Sequence, residues 1–354
     1  MPHYILAVNP GSTSTKIGLF CDDVPVFTES IEHDHNEIAK FPNIASQKDL
    51  RKELVLSALA AHGYSPNQLS TVVGRGGLFP PVNTGGYIVT EKLKQMIINE
   101  EGVSPHASNL GALIADEIAA PVGIPAYIYD AVSAGHLPEY AKITGFPEIK
   151  RQSFSHVLNC RAVAINYANS IGRNYDEMNF IIAHLGGGIS FGAHKQGKIV
   201  DSIGDDYGTF SPERSGTAPL LEFIELCFDE KYTKKDIMKK IRGMGGLKAH
   251  LGTPDVRIIE EMIEKGDEKA KLILEAMCYN VAKNISSLMP ALGGKCDAVI
   301  LTGGVAKSKF VTKKIAETVS FIGEVKILPG EYELEALAEG GLRLVKGLEN
   351  PSEI

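Results

Sequence analysis

The hydrophobic pattern opens with an apolar run over residues 4–8 and then the hydroxyl-rich stretch Asn9-Pro10-Gly11-Ser12-Thr13-Ser14-Thr15-Lys16. A second apolar run covers 17–20, the turn Asp22-Asp23 follows, and a third run covers 24–28. Short apolar runs bounded by Gly, Pro, Asp and Ser read as β-strands, so the pattern predicts a strand, a polar turn and a meander. The same order recurs far downstream. Residues 180–183 run into His184-Leu185-Gly186-Gly187-Gly188, and strand 189–193, the turn Lys195-Gln196-Gly197 and strand 198–203 follow. Aligning Asn9-x-Gly11 with His184-x-Gly186 sets the offset at 184 − 9 = 175, about half of the 354 residues, and an internal duplication is the simplest reading.

Between and after these blocks the period changes. Spacing near 3.6 predicts helices over 48–62, 108–120, 157–170, 220–228, 233–241, 255–265 and 267–288, and short apolar runs predict strands over 71–73, 126–129, 298–301 and 325–328. Such alternation predicts α/β layers. No low-complexity linker marks a boundary, so two domains are expected to meet near residues 150–156.

Composition narrows the function. With 44% hydrophobic and 22% charged residues the chain has ample material for a core. Its net charge of −7, with no long basic stripe, argues against capture of nucleic acid or of an anionic membrane. Five scattered cysteines without a C-x-x-C pair point to reduced thiols. A start without a basic flank and long apolar run, and the lack of ~18 uninterrupted apolar residues, give the expectation of a cytoplasmic protein.

Several stretches carry candidate chemistry. Asn9 to Lys16 offers backbone N–H groups and hydroxyls to phosphate oxygens, with Lys16 as a point charge. It is no P-loop, because Thr15 precedes the lysine and a strand follows it; an ordinary hairpin turn is the alternative. Three glycines, Gly186, Gly187 and Gly188, interrupt a strand after His184, which is costly unless something must approach the backbone. Gly303 and Gly304, after the run 298–301, would let a nucleoside lie against the chain, although strand-to-helix glycine turns are common without a ligand. Gly74-Arg75-Gly76-Gly77 and Ser211-Pro212-Glu213-Arg214-Ser215-Gly216 each present one arginine among small residues, suited to planar capture of carboxylate or phosphate or else a plain surface turn. Asp130 and His156 complete the candidates, with capping or core roles as the alternative. His33-Asp34-His35 resembles a metal tract and is read as solvated.

Two phosphate-type turns half a chain apart, followed by a Gly-Gly turn, resemble the duplicated actin-like, ribonuclease H-like fold shared by acetate and sugar kinases, the heat-shock ATPase and actin. Within it the chain is most similar to the short-chain fatty acid kinases of the acetate kinase family, in the branch that phosphorylates butyrate. Beside the stretches above, Leu251-Gly252-Thr253-Pro254-Asp255 and Ile300-Leu301-Thr302-Gly303-Gly304 carry the likeness. The resemblance implies two domains around a nucleotide cleft: 1–150, completed by a C-terminal helix over 334–354, and 151–333. It implies that Asn9, Gly11, Ser12, Ser14, Lys16, Gly186, Gly187, Gly188, Gly303 and Gly304 bind nucleotide, and that Arg75, Arg214, His184, Asp130 and His156 serve the reaction. Glu333, with Glu331 as the competing choice, and Asp130 would accompany Mg2+. Acetate kinases have asparagine where Gly187 stands and a second histidine near His156, so those two contacts differ here. They also have two valines where Gly76 and Gly77 stand, and the missing side chains are expected to widen the acyl pocket.

The implied reaction is reversible in-line transfer of a phosphoryl group between ATP and a short-chain fatty acid, giving ADP and an acyl phosphate. A carboxylate is already anionic at neutral pH, so charge neutralisation rather than a general base is needed. A homodimer or higher homo-oligomer is expected, with no nucleic-acid or membrane partner. The rival readings are an acetate or propionate kinase and a nucleotide-switch ATPase of the actin or chaperone type.

Overall fold

The computed structural model describes residues 2–354, apart from the side chain of His35. The chain forms two compact units, 1–135 together with 332–354, and 136–331.

In the first unit, β1 (Tyr4–Pro10), β2 (Ser14–Cys21) and β3 (Val24–Glu32) form the expected antiparallel meander. β4 (Thr71–Arg75) lies parallel to β1, β6 (Ala126–Tyr129) parallel to β4, and the short β5 (Gly86–Ile88) antiparallel to β6. The sheet order is β3-β2-β1-β4-β6-β5. From Ile5 onward β1 is buried at every position, as a central strand covered on both faces must be. Gly341 of helix Glu333–Val345 abuts Val73, and Gly111 of helix Leu110–Ala119 abuts Gly74 and Arg75. Consecutive strand residues point to opposite faces, so these two helices cover opposite sides of the sheet.

The second unit repeats the plan. β7 (Asn179–Leu185), β8 (Ile189–Lys195) and β9 (Lys198–Ile203) form a meander, with β10 (Ala298–Gly303) and β11 (Glu324–Pro329) added in parallel, in the order β11-β10-β7-β8-β9. The first two strands of each meander start at offsets of 179 − 4 and 189 − 14, both 175, so the duplication read from the sequence is a duplication of fold. Ile181, Ala183 and Leu185 of β7 join Val299 and Leu301 of β10 in one core with helix Glu268–Ser287. The intervening residues, His184 and Thr302 among them, face the other way, toward helix Val157–Ser170.

Among the described residues no helix is long and apolar enough to cross a membrane, and all five cysteines are free thiols. The tract at 33–35 departs from expectation. His33 is half-buried, with Nε2 2.8 Å from Thr15 Oγ1, because the meander brings the end of β3 beside the start of β2; it is not solvated. The His35 side chain lies outside the described residues.

Candidate active site

The candidate residues assemble into one cluster in each unit. In the first, β1 runs to Pro10 and β2 starts at Ser14, so the free turn is shorter than the polar stretch suggested: Gly11, Ser12 and Thr13, closed by Gly11 N donating to Ser14 O at 2.7 Å. Asn9 ends up opposite Lys16 on paired strands. The Asn9 amide nitrogen donates to Glu333 Oε2 at 2.6 Å, and Arg75 Nη1 lies 3.2 Å from Glu333 Oε1 and 3.4 Å from Asn9 Oδ1. Arg75 reaches this point because it ends β4, next to β1. Its Nε is buried without a hydrogen-bond partner among the described residues. Glu333 is buried in the first turn of its helix and bonded to Asn9, while Glu331 is exposed. Asp130 follows Tyr129, which pairs with Arg75 across β4 and β6. It is buried in a left-handed conformation (φ 43°), and its Oδ1 accepts the Gly85 N–H at 2.8 Å. A non-glycine residue there is strained, and such strain concentrates at functional positions.

One member of this cluster escaped the motif reading. Arg51 is 1% exposed and donates from Nη1 to Gly11 O at 2.8 Å and to Thr15 Oγ1 at 3.2 Å, with Gln47 Oε1 taking its other edge. Its bonds to the Gly11 carbonyl and the Thr15 hydroxyl fix the turn, and burial pushes this guanidinium down to about 10. The signal was present: Arg51, Val55, Ala58 and Leu59 form the buried stripe of helix Lys48–Ala61, so a charge sits in a core position.

In the second cluster the chain turns at Gly186 to Gly188, with Leu185 and Ile189 paired on either side. A Cβ at Gly186 would lie 3.2 Å from His184 Nε2, so the histidine edge reaches this turn. The His156 ring stacks on His184 at 3.9 Å and 7°, and His156 Nδ1 is 2.7 Å from Ser190 Oγ, whose residue pairs with His184 across β7 and β8. The loop 210–216 is stitched to the same turn: Ser211 Oγ donates to Gly187 O at 2.7 Å and Glu213 N donates there at 3.0 Å. Arg214 is thereby held nearby, its Nε donating to Asp205 Oδ2 at 3.0 Å. Asp205 had no sequence motif to mark it. Burial raises its carboxyl above the usual range, against the lowering by Arg214 and Arg242, and any side chain at Gly188 would collide with it.

Gly303 and Gly304 differ in role. Gly303 adopts φ 89° and its Cβ direction is filled by the Leu185 backbone. Gly304 has nothing within 4 Å of that direction and lines a cavity of about 630 Å³ with Gly187, Glu213, Pro254, Asp255 and Lys307. That volume suits a nucleotide-sized ligand.

Gly76 and Gly77 do not open a pocket. Their Cβ directions are occupied by Ala131 and by the Asn109 side chain, whose Oδ1 accepts from Leu78 N and whose Nδ2 donates to Ser104 O. The glycines let the chain after Arg75 run against its neighbours, so the space the missing side chains were expected to leave for the acid is already filled.

A sequence profile of the Acetokinase family matches residues 148–336, more than half of the chain. The chain belongs to the acetokinase family. It is thus an enzyme of the acetate kinase family, a carboxylate kinase that uses ATP or ADP. Among solved structures, the acetate kinase of Porphyromonas gingivalis superposes with a TM-score of 0.78 at 20% identity, over 97% of this chain and 100% of that one. A propionate kinase from Francisella tularensis subsp. tularensis SCHU S4 gives 0.75 at 19% identity, over 96% and 98%. The acetate kinase of Entamoeba histolytica gives 0.75 at 19%, over 95% and 98%. These likenesses establish the two-domain, duplicated α/β fold.

Proposed function

We infer that this carboxylate kinase is a butyrate kinase, transferring the γ-phosphoryl group of ATP reversibly to butyrate or a related short or branched acid. One observation carries the reaction. Beside each of the two duplicated turns stands an arginine held by a buried carboxylate: Arg75 by Glu333, and Arg214 by Asp205. Acyl phosphate formation joins two anions, and guanidinium groups are the means of lowering that repulsion and the charge on the transferring oxygens. A nucleotide switch has no use for the second arginine.

In this reading Arg75 receives the acyl carboxylate, with Asp130 fixing the end of β6 beside it. Arg214, His184 and the Gly186 to Gly188 amides receive the phosphates, and His156 backs the His184 ring. Gly11, Ser12, Ser14 and Lys16 provide the first turn's donors. The cavity at Gly304 takes the nucleoside. Of the Asn9 and Glu333 pair only the oxygens, those of the Glu333 carboxylate and Asn9 Oδ1, would hold a hard cation, with water and phosphate oxygens as its other ligands; the Asn9 amide nitrogen donates to Glu333 Oε2 at 2.6 Å and ligates nothing. Magnesium bound there would screen phosphate charge.

The preference for a four-carbon acid rests on the sequence resemblance across the chain; the glycines after Arg75 add nothing to it. Acetate or propionate is the rival substrate, favoured by the close superposition on enzymes of those names. The test incubates the protein with ATP, Mg2+ and a series of straight and branched acids of two to five carbons, trapping acyl hydroxamates. The highest kcat/KM should fall on a four-carbon acid. A maximum at acetate would overturn the butyrate assignment, and no hydroxamate with any acid would overturn the kinase reading of the site.

A further inference from the structure

Behind the two stacked histidines lies a polar chain that the reaction outlined above does not use. Asn159, fully buried in helix Val157–Ser170, places Nδ2 3.0 Å from His184 Nδ1 and 3.3 Å from Thr302 Oγ1. Thr302, also fully buried, directs its hydroxyl to Gly330 O at 3.4 Å. Gly330 in turn exchanges two backbone hydrogen bonds of 3.2 Å with Gly303. The direction of each bond follows from its neighbour. A hydroxyl has one hydrogen; Thr302 gives it to a carbonyl and so accepts from Asn159. The Asn159 atom facing Thr302 is therefore its NH2 group, and the same group donates its second hydrogen to His184 Nδ1. A neutral imidazole that accepts at Nδ1 carries its proton on Nε2, the edge that reaches the glycine turn at Gly186.

We propose that Asn159 is a positioning residue: it holds His184 in the Nε2–H tautomer, so that the ring donates toward a phosphoryl oxygen at the Gly186 to Gly188 turn, and through Thr302 it ties that ring to the Gly303–Gly304 turn. The proposal rests on the kinase reading of this site. Its chemical logic is that an Nδ1–H tautomer would turn a bare nitrogen lone pair toward an anionic phosphoryl group, replacing a donor with a repulsive acceptor. Fixing the tautomer before substrate arrives removes a reorganisation step from the reaction. The link to Thr302 adds a second consequence. A nucleoside seated against Gly304 presses on the strand end that anchors Asn159, so nucleotide binding and ring orientation share one rigid frame. The titratable ring stacked on His184 is His156, and its own partner is Ser190.

The test begins with the whole protein labelled with ¹⁵N histidine, in which the shifts of the two ring nitrogens report which carries the proton. His184 should show a bare Nδ1 and a protonated Nε2; a protonated Nδ1 in the unmodified protein would overturn the proposal without reference to activity. Asn159→Asp then replaces the donor with an acceptor of the same shape. In the neutral ring His184 should become protonated at Nδ1 and kcat should fall on the order of 10²-fold, with activity recovering toward lower pH, where the imidazolium that the carboxylate favours again carries a proton on Nε2. If Asn159→Asp does not fold, Thr302→Val removes the anchor without changing shape; it should lower kcat on the order of tenfold with KM for the acid unchanged. Retention of wild-type kcat and pH profile by a folded variant would overturn the proposal. Absence of kinase activity in the unmodified protein would instead count against the function, leaving the tautomer measurement standing by itself.

Discussion

Gly77→Ala is the substitution that separates a packing role from a substrate role for the residues after Arg75. The added methyl would be placed inside the Asn109 side-chain oxygen, 2.9 Å from Asn109 Cγ and 3.0 Å from its Cα. A Cα cannot swing aside like the end of a side chain, so the 107–109 turn must move or the Asn109 amide must rotate away. Rotation breaks two bonds, Leu78 N to Asn109 Oδ1 at 2.9 Å and Asn109 Nδ2 to Ser104 O at 2.8 Å. Each leaves a partly buried group unpaired at about 1–3 kcal/mol. The expected loss is therefore about 2–6 kcal/mol, a large part of the ~5–15 kcal/mol that stabilises a typical domain. Urea unfolding should show this loss with the slope unchanged, while the ranking of acids by kcat/KM stays as in the unmodified enzyme. Asn109→Gly should relieve the clash, so the double variant should be more stable than additivity predicts. A Gly77→Ala protein of normal stability that selectively loses the longer acids would refute this reasoning and restore the pocket reading.

Arg214→Ala should cut turnover by about 10³- to 10⁵-fold while ADP binding by calorimetry stays within a few-fold, and Arg214→Lys should recover little because a point charge lacks the planar fork; retained turnover would remove Arg214 from the reaction. Gly304→Leu should raise the KM for ATP much more than that for the acid without lowering the melting temperature. Gly303→Ala should mainly destabilise, because φ 89° and the Leu185 backbone leave no place for a methyl; equal melting of the two variants would contradict the assignment. His194, fully buried against Tyr175, is held neutral by desolvation with a pKa of about 3, against 6.5 when unfolded. The unfolded chain therefore binds the extra proton below about pH 6.5, and stability should fall by about 1.4 kcal/mol per pH unit from there toward pH 3. His194→Gln should flatten that acid limb, and an unchanged slope would show that other groups cause it.

What the sequence made visible and what it hid divide along a physical line. Strands 126–129 and helix 157–170 have their observed bounds already in their periodicity, and the offset of 175 is local pattern repeated. Helix Glu91–Ile98 and the three-residue β5 were not read, the first because its stripe is short and the second because three residues carry no period. Among site residues, arginines amid glycines announce themselves, since nothing nearby can bury them. Asn159, Asp205 and Asn109 do not, because each acquires meaning only from a partner remote in sequence: Asn159 from His184 and Thr302, Asp205 from Arg214 and Gly188, Asn109 from Gly77. Arg51 lies between these cases, its place in a core stripe being visible but its target, the Gly11 carbonyl, being set by the fold.

The helix Glu333–Val345 belongs to the first unit although the entire second unit precedes it in the chain. During synthesis at ~5–20 residues per second, the ribosome spends about 10–40 s on residues 136–331 after β6 has been synthesised. Throughout that interval the strand faces at Ile5 and Val73 wait for Gly341, the Tyr129 hydroxyl waits for Glu349 at 2.6 Å, and Arg75 waits for its carboxylate. The nascent first unit is thus a sheet with one face uncovered and an Arg75 guanidinium that lacks its carboxylate. The last segment to be translated closes the sheet and completes the Asn9–Arg75–Glu333 cluster in one event, so truncated chains that stop before residue 332 acquire neither.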